Sequence, residues 1–168
     1  MEKVIFLDFD GVLNTRKYQD HLKADGERRA DEFGLLFDPD AVENLRKIVE
    51  AVPDVYIVIN STWKYDGLDT MRTMWKKRGL PGAIHSITPS YVPDFSTFIP
   101  DDMSIDMLAG KGYDIKQWIE DYTPKGCHYV ILDDDHRILP EQMPHLIQID
   151  GNVGLTEEDS IRVIKMLS

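Results

Sequence analysis

The chain alternates short, continuous apolar runs with longer segments in which apolar residues recur every three or four positions. Residues 3–9 are apolar apart from Lys3 and Asp8, and a Gly-containing turn follows. This is the pattern of a buried strand. Asp38-Pro39 then opens a helix, because Asp is a favoured N-cap and Pro suits the first turn. Val42, Leu45, Val49 and Val52 give that helix one apolar face, and Pro53-Asp54 stop it. Residues 55–59, rich in β-branched side chains, predict a second buried strand. Residues 68–78 predict a second helix, with Leu68, Met71 and Trp75 on one stripe and Gly79 as its stop. A short third strand over 84–88 leads into a Pro-rich, loop-like stretch over 89–110. A third helix over 113–122 carries Ile115, Trp118, Ile119 and Tyr122 at helical spacing. Strands over 128–132 and 145–149 follow, and Thr156 opens the last helix with an acid three residues on, in the manner of a capping box.

Strands alternating with helices predict an α/β fold: a three-layer, Rossmann-like parallel sheet with helices on both faces. At 168 residues, with no repeat or linker, the chain is expected to form one domain over 1–168, since domains average on the order of 150 residues. In such sheets ligands bind beyond the carboxyl ends of the strands, so the residues just after each strand become the informative ones.

Composition narrows the classes. No apolar run approaches the ~18 residues of a membrane helix, and the first residues lack the features of a secretory signal. The single Cys127 excludes an internal disulfide framework and fits a reducing compartment, with the cytoplasm as the expected location. The formal net charge is −11, which opposes broad binding to polyanions but leaves room for a local pocket for one phosphate. The five histidines show no metal-ligand spacing and Cys127 no nucleophile signature.

The first predicted strand ends in Asp8-Phe9-Asp10-Gly11, the second in Asn60-Ser61-Thr62, and the fourth in Asp133-Asp134-Asp135. Five acids therefore meet at one edge of one sheet. Like charges so placed cost several kcal/mol unless neutralised. A hard divalent cation is the simplest remedy, and Mg²⁺ typically takes one or two carboxylates together with phosphate oxygens.

The segment from Phe6 to Asn14, containing Asp8-Phe9-Asp10-Gly11, resembles the first signature of the haloacid dehalogenase-like (HAD) phosphohydrolases. The resemblance runs on through the segments at 36–42, 59–64, 111–115, 130–134 and 154–156. It is similar to the small, minimally capped branch found in nucleic-acid repair proteins. The resemblance implies that Asp8 is the nucleophile, forming an aspartyl-phosphate, and that Asp10 protonates the leaving oxygen and then activates water. It implies Mg²⁺ held by Asp8, the Asp10 main-chain carbonyl and Asp133, with Asp134 binding at the metal or orienting the site. Asp135 reads as a loop residue or helix cap. Ser61 is the residue expected to hold a phosphate oxygen, with Asn60, which directly follows the strand, as its rival; the family usually has a hydroxyl at both positions, so the register is open by one residue. Lys111, just before the third predicted helix, would neutralise the phosphate, with Lys116 and Lys64 as competitors. Trp63 reads as packing, with base stacking as its functional alternative.

Small insertions near 14–37 and 89–110 leave room for a flap rather than a cap domain. The expected activity is Mg²⁺-dependent hydrolysis of a phosphomonoester, with a nucleotide or another small phosphorylated molecule as substrate. A polynucleotide end phosphatase is the enzymatic alternative, and a catalytically idle phosphate-binding module is the alternative from another class. No membrane partner is expected.

Overall fold

The computed structural model describes residues 1–90 and 110–168. At its centre is a five-stranded, wholly parallel sheet. The strands are β1 (Lys3–Leu7), β4 (Tyr56–Ile59), β5 (Ile84–Ile87), β6 (His128–Asp133) and β7 (Leu146–Gln148), in the order β5-β4-β1-β6-β7. A separate two-stranded hairpin, β2 (Ala30–Asp31) and β3 (Gly34–Leu35), lies in the insertion after the first strand, preceded by α1 (Arg16–Ala24). The remaining helices are α2 (Pro39–Ala51), α3 (Leu68–Lys77), α4 (Gly110–Tyr122) and α5 (Glu157–Leu167).

The period-2 alternation of strand side chains splits the core into two layers. Ile5, Leu7, Ile57, Ile59, Val130 and Leu132 point to the face covered by α2, α3 and α5. Val4, Phe6, Val58 and Ile131 point to the opposite face, where α4 brings Ile115 and Trp118. Trp118 is fully buried, and its indole N–H donates to the Ser86 hydroxyl at 2.7 Å, so a large ring enters the core without an orphaned donor. The predicted three-layer α/β arrangement is thus the observed one. Among the described residues no helix is long and apolar enough to cross a membrane.

Helix caps follow the sequence. The Asp38 carboxylate accepts from the Asp40 N–H at 2.9 Å, and Thr156 and Asp159 form a reciprocal capping box. Gly79, at φ +63°, stands just after the α3 C-cap Arg78.

Some element ends differ from expectation for identifiable reasons. The first strand stops at Leu7 rather than residue 9, because the Phe9 carbonyl turns to accept from the N–H groups of Val12, Leu13 and Asn14. His145 belongs to a 3₁₀ turn (Pro140–His145), which moves the start of the last strand to Leu146, and that strand ends at Gln148. The third predicted helix starts at Gly110, so Lys111 sits in its first turn rather than before it. The rest of the stretch predicted as loop, residues 91–109, lies outside the described residues.

Candidate active site

The strand register lines up one row of polar side chains at the carboxyl edge of the sheet. Phe6 pairs with both Val58 and Ile131, and Val58 with Ser86. Two residues further along each strand, Asp8 therefore stands between Asn60 and Asp133, with Thr88 beyond Asn60. All four continue the face that carries Phe6, Val58 and Ile131, so the polar row emerges directly from the α4-side core. Each of the four is almost wholly buried: Asp8 is 4% exposed, Asn60 2%, Thr88 1% and Asp133 1%.

Buried carboxylates this close need compensation. Lys111, in the first turn of α4, supplies part of it. Its Nζ lies 2.9 Å from Asp133 Oδ2 and 3.3 Å from Asp8 Oδ2. Burial opposes the ammonium form, but the two carboxylates outweigh it and hold the amine above its usual range. The compensation is incomplete. Burial, and then the negative charge of Asp133, push the Asp8 carboxyl up to about 8 despite the nearby ammonium. Burial and the contact with Asp133 also raise Asp134.

Asp8, Asp133 and Asp134 each offer a carboxylate oxygen, and these oxygens lie within 4.8 Å of one another. Asp134 is wedged between two glycines: a Cβ at Gly11, whose φ is +82°, would come 2.7 Å from its Cγ, and one at Gly151 would come 2.9 Å from its Oδ2. Hard oxygen donors carrying more negative charge than one lysine neutralises fit Mg²⁺. Asp135, by contrast, turns away to Arg137, which holds its carboxyl down to about 2, while its N–H donates to Asp133 Oδ1 at 2.9 Å.

Asp10 behaves differently from Asp8. It is exposed, and its Oδ1 accepts from Asn14 Nδ2 at 2.7 Å and from the Trp63 indole N–H at 3.2 Å. The turn that brings Asn14 back to Asp10 also pairs their backbones, with the Gly11 N–H donating to the Asn14 carbonyl at 2.9 Å. A cleft of about 420 Å³ opens beside Asp10 and Asp134, lined also by Arg16, Leu35 and Asn152.

The two phosphate-holding candidates after β4 stand in unlike settings. Asn60 Oδ1 accepts from the Thr88 hydroxyl at 2.8 Å, whereas its Nδ2 is a buried donor without a partner among the described residues. A buried unmade hydrogen bond costs about 1–3 kcal/mol, so an anionic oxygen is a fitting complement. Ser61 caps the 3₁₀ turn Thr62–Asp66, its Oγ accepting from the Trp63 N–H at 3.2 Å, which leaves its own proton to donate.

Of the competing lysines, Lys64 is buried and bonded elsewhere, to Asp114 at 2.7 Å and Thr88 Oγ1 at 3.0 Å. Lys111 alone of the three contacts Asp8 and Asp133. Trp63 packs edge-on to Phe9 and against Phe37, as the packing reading expects. Its hydrogen bond to Asp10 had no signal in the sequence beyond its place four residues after the end of β4.

A family model described as the HAD domain in Swiss Army Knife RNA repair proteins matches residues 4–160. No curated protein and no solved structure matches the chain.

Proposed function

Since the chain belongs to this family of HAD domains, with its phosphohydrolase-type chemistry, we propose that it is a Mg²⁺-dependent phosphomonoester hydrolase that works through an aspartyl-phosphate on Asp8. The observation that carries this reading is the buried row Asn60–Asp8–Asp133 with Lys111 across it and Asp134 beside it.

Mg²⁺, held by Asp8, Asp133, Asp134 and the Asp10 main-chain carbonyl, would supply positive charge to the transferring phosphoryl oxygens. Asp8 attacks phosphorus with one carboxylate oxygen as the bond to the leaving oxygen breaks. Asp10 gives that oxygen a proton, then takes one from the water that cleaves the aspartyl-phosphate. Lys111 balances charge between phosphate and Asp8, and Asn60 Nδ2 with the Ser61 hydroxyl donates to non-bridging phosphate oxygens. Because phosphate monoesters hydrolyse so slowly unaided, positioned charge of this kind carries most of the acceleration.

The family's RNA-repair description favours a phosphorylated RNA end as substrate. The net charge of −11 favours the second reading, a nucleotide or other small phosphomonoester. The absence of cysteines other than Cys127 supports work in a reducing compartment, the cytoplasm. Hydrolysis of p-nitrophenyl phosphate with and without Mg²⁺ tests the chemistry: activity that needs the metal and disappears in Asp8→Asn is expected, and an active Asp8→Asn protein overturns the mechanism. Rates on a phosphorylated oligoribonucleotide and on mononucleotides across salt then test the substrate. Equal rates without a salt response remove the RNA end.

A further inference from the structure

We propose that Trp63 is a positioning residue for Asp10, holding the acid–base carboxylate in the one orientation that leaves its second oxygen free for the leaving group. The inference rests on the reading above, in which Asp10 delivers the proton.

Asp10 lies on the surface, where a carboxylate of two rotatable bonds would sample several rotamers. Two donors converge instead on the same atom, Oδ1: the Asn14 amide at 2.7 Å and the Trp63 indole N–H at 3.2 Å. Oδ2 receives no donor among the described residues. The pair therefore fixes the carboxylate plane while keeping one oxygen available to carry a proton.

The indole can serve as a fixed point because its own position is over-determined. Its ring centroid lies 5.3 Å from that of Phe9 in an edge-on contact and 5.6 Å from that of Phe37. The Arg78 guanidinium stands 5.6 Å from the ring centroid. Gly34 of the β2–β3 hairpin closes against the ring so tightly that a Cβ there would come 2.8 Å from Cη2. Arg78 ties that hairpin down, bonding Asp31 through two nitrogens and also the Gly34 carbonyl. The same ring thus joins the hairpin after the first strand to the acid–base group.

The chemistry makes a distinctive demand. As the Asp8–phosphorus bond forms and the bond to the leaving oxygen breaks, an alkoxide needs the Asp10 proton, whereas a nitrophenolate leaves without one. A residue that orients Asp10 should matter for alkyl phosphates and little for p-nitrophenyl phosphate. A residue that only holds two loops together should matter equally for both.

The test is kcat/KM on an alkyl phosphate and on p-nitrophenyl phosphate for wild type, Trp63→Phe and a protein with Trp63 replaced site-specifically by its benzothiophene isostere. The isostere keeps the ring's shape and lacks the N–H, so the test survives if Trp63→Phe folds poorly. Since general acid–base catalysis contributes about 10²–10⁴-fold, loss of one of two tethers should lower alkyl phosphate turnover by about tenfold while nitrophenyl phosphate stays within about twofold. Equal loss on both substrates, or loss on neither, overturns the positioning role. A wild-type protein inactive on both overturns the phosphatase reading itself, which separates the two failures.

Discussion

Replacing Asp8 with Asn should make the metal-free protein more stable, although it removes the residue on which the proposed chemistry turns. Asp8 is 4% exposed and shares Lys111 with Asp133. Burial and the Asp133 charge lift its carboxyl from an ordinary 3.8 to about 8. The folded protein therefore keeps a proton that the unfolded chain releases near 3.8, and folding stability falls as pH rises through that window and levels off above about 8. At about 1.36 kcal/mol per pH unit, ionised Asp8 weakens the metal-free fold by at most about 6 kcal/mol. Asn at position 8 still accepts from the Phe9 N–H, and the lost attraction to Lys111 is already contained in that net upward shift. The gain is therefore at most about 6 kcal/mol above pH 8 and about 1–2 kcal/mol at pH 5, each kcal/mol worth about 2–4 °C in Tm for a chain of this length. Thermal unfolding in chelator between pH 5 and 9 reads it directly. The Tm gap should open with rising pH and should narrow when Mg²⁺ is added, because the metal stabilises only the protein that binds it well. An Asp8→Asn variant less stable than wild type across that range would refute the electrostatic reasoning.

Further outcomes follow from neighbouring contacts. Lys111→Met removes the ammonium 2.9 Å from Asp133 and 3.3 Å from Asp8; kcat should fall by about 10²–10³-fold, as for other removed transition-state donors, and steady-state kinetics will show it. Gly112→Ala would put a Cβ 2.7 Å from the Leu139 backbone nitrogen and 3.0 Å from Ile138 Cα, neither of which can swing aside. It should destabilise by about 1–3 kcal/mol in urea unfolding and lower activity by moving Lys111. Arg78 holds the Asp31 carboxyl below its ordinary range. That stability is present above the unfolded carboxyl value and is lost as pH falls through the depressed one, so Asp31→Asn should cost about 1–3 kcal/mol at pH 7 and nothing once both forms are protonated.

The centre of the sheet was legible because β1, β4 and β6 are buried on both faces and read as continuous apolar runs, which few other elements imitate. The candidate site was legible for the same reason: a strand that ends abruptly in acids marks the carboxyl edge, and the row Asn60–Asp8–Asp133 lies along that edge. Other parts left weaker traces. In α1 only Gln19 and Leu22 are buried, so its nine residues carry almost no apolar stripe. The β2–β3 hairpin has two residues per strand and no alternation to read. Gly110 and Gly112 disguise the first turn of α4, although Gly112 is there because Leu139 and Ile138 leave no space for a side chain. The Trp63–Asp10 bond joins residues 53 apart and depends on the hairpin's position, which local pattern does not contain.

The central claim is that Asp8 carries the phosphoryl group. Mass spectrometry of protein quenched with acid during turnover and reduced with borohydride tests it most directly. The account predicts a phosphoryl adduct on Asp8, converted by the reduction to homoserine at that position. A stoichiometric burst of released alcohol with Asp8 unmodified, or with the adduct on another residue, would contradict it.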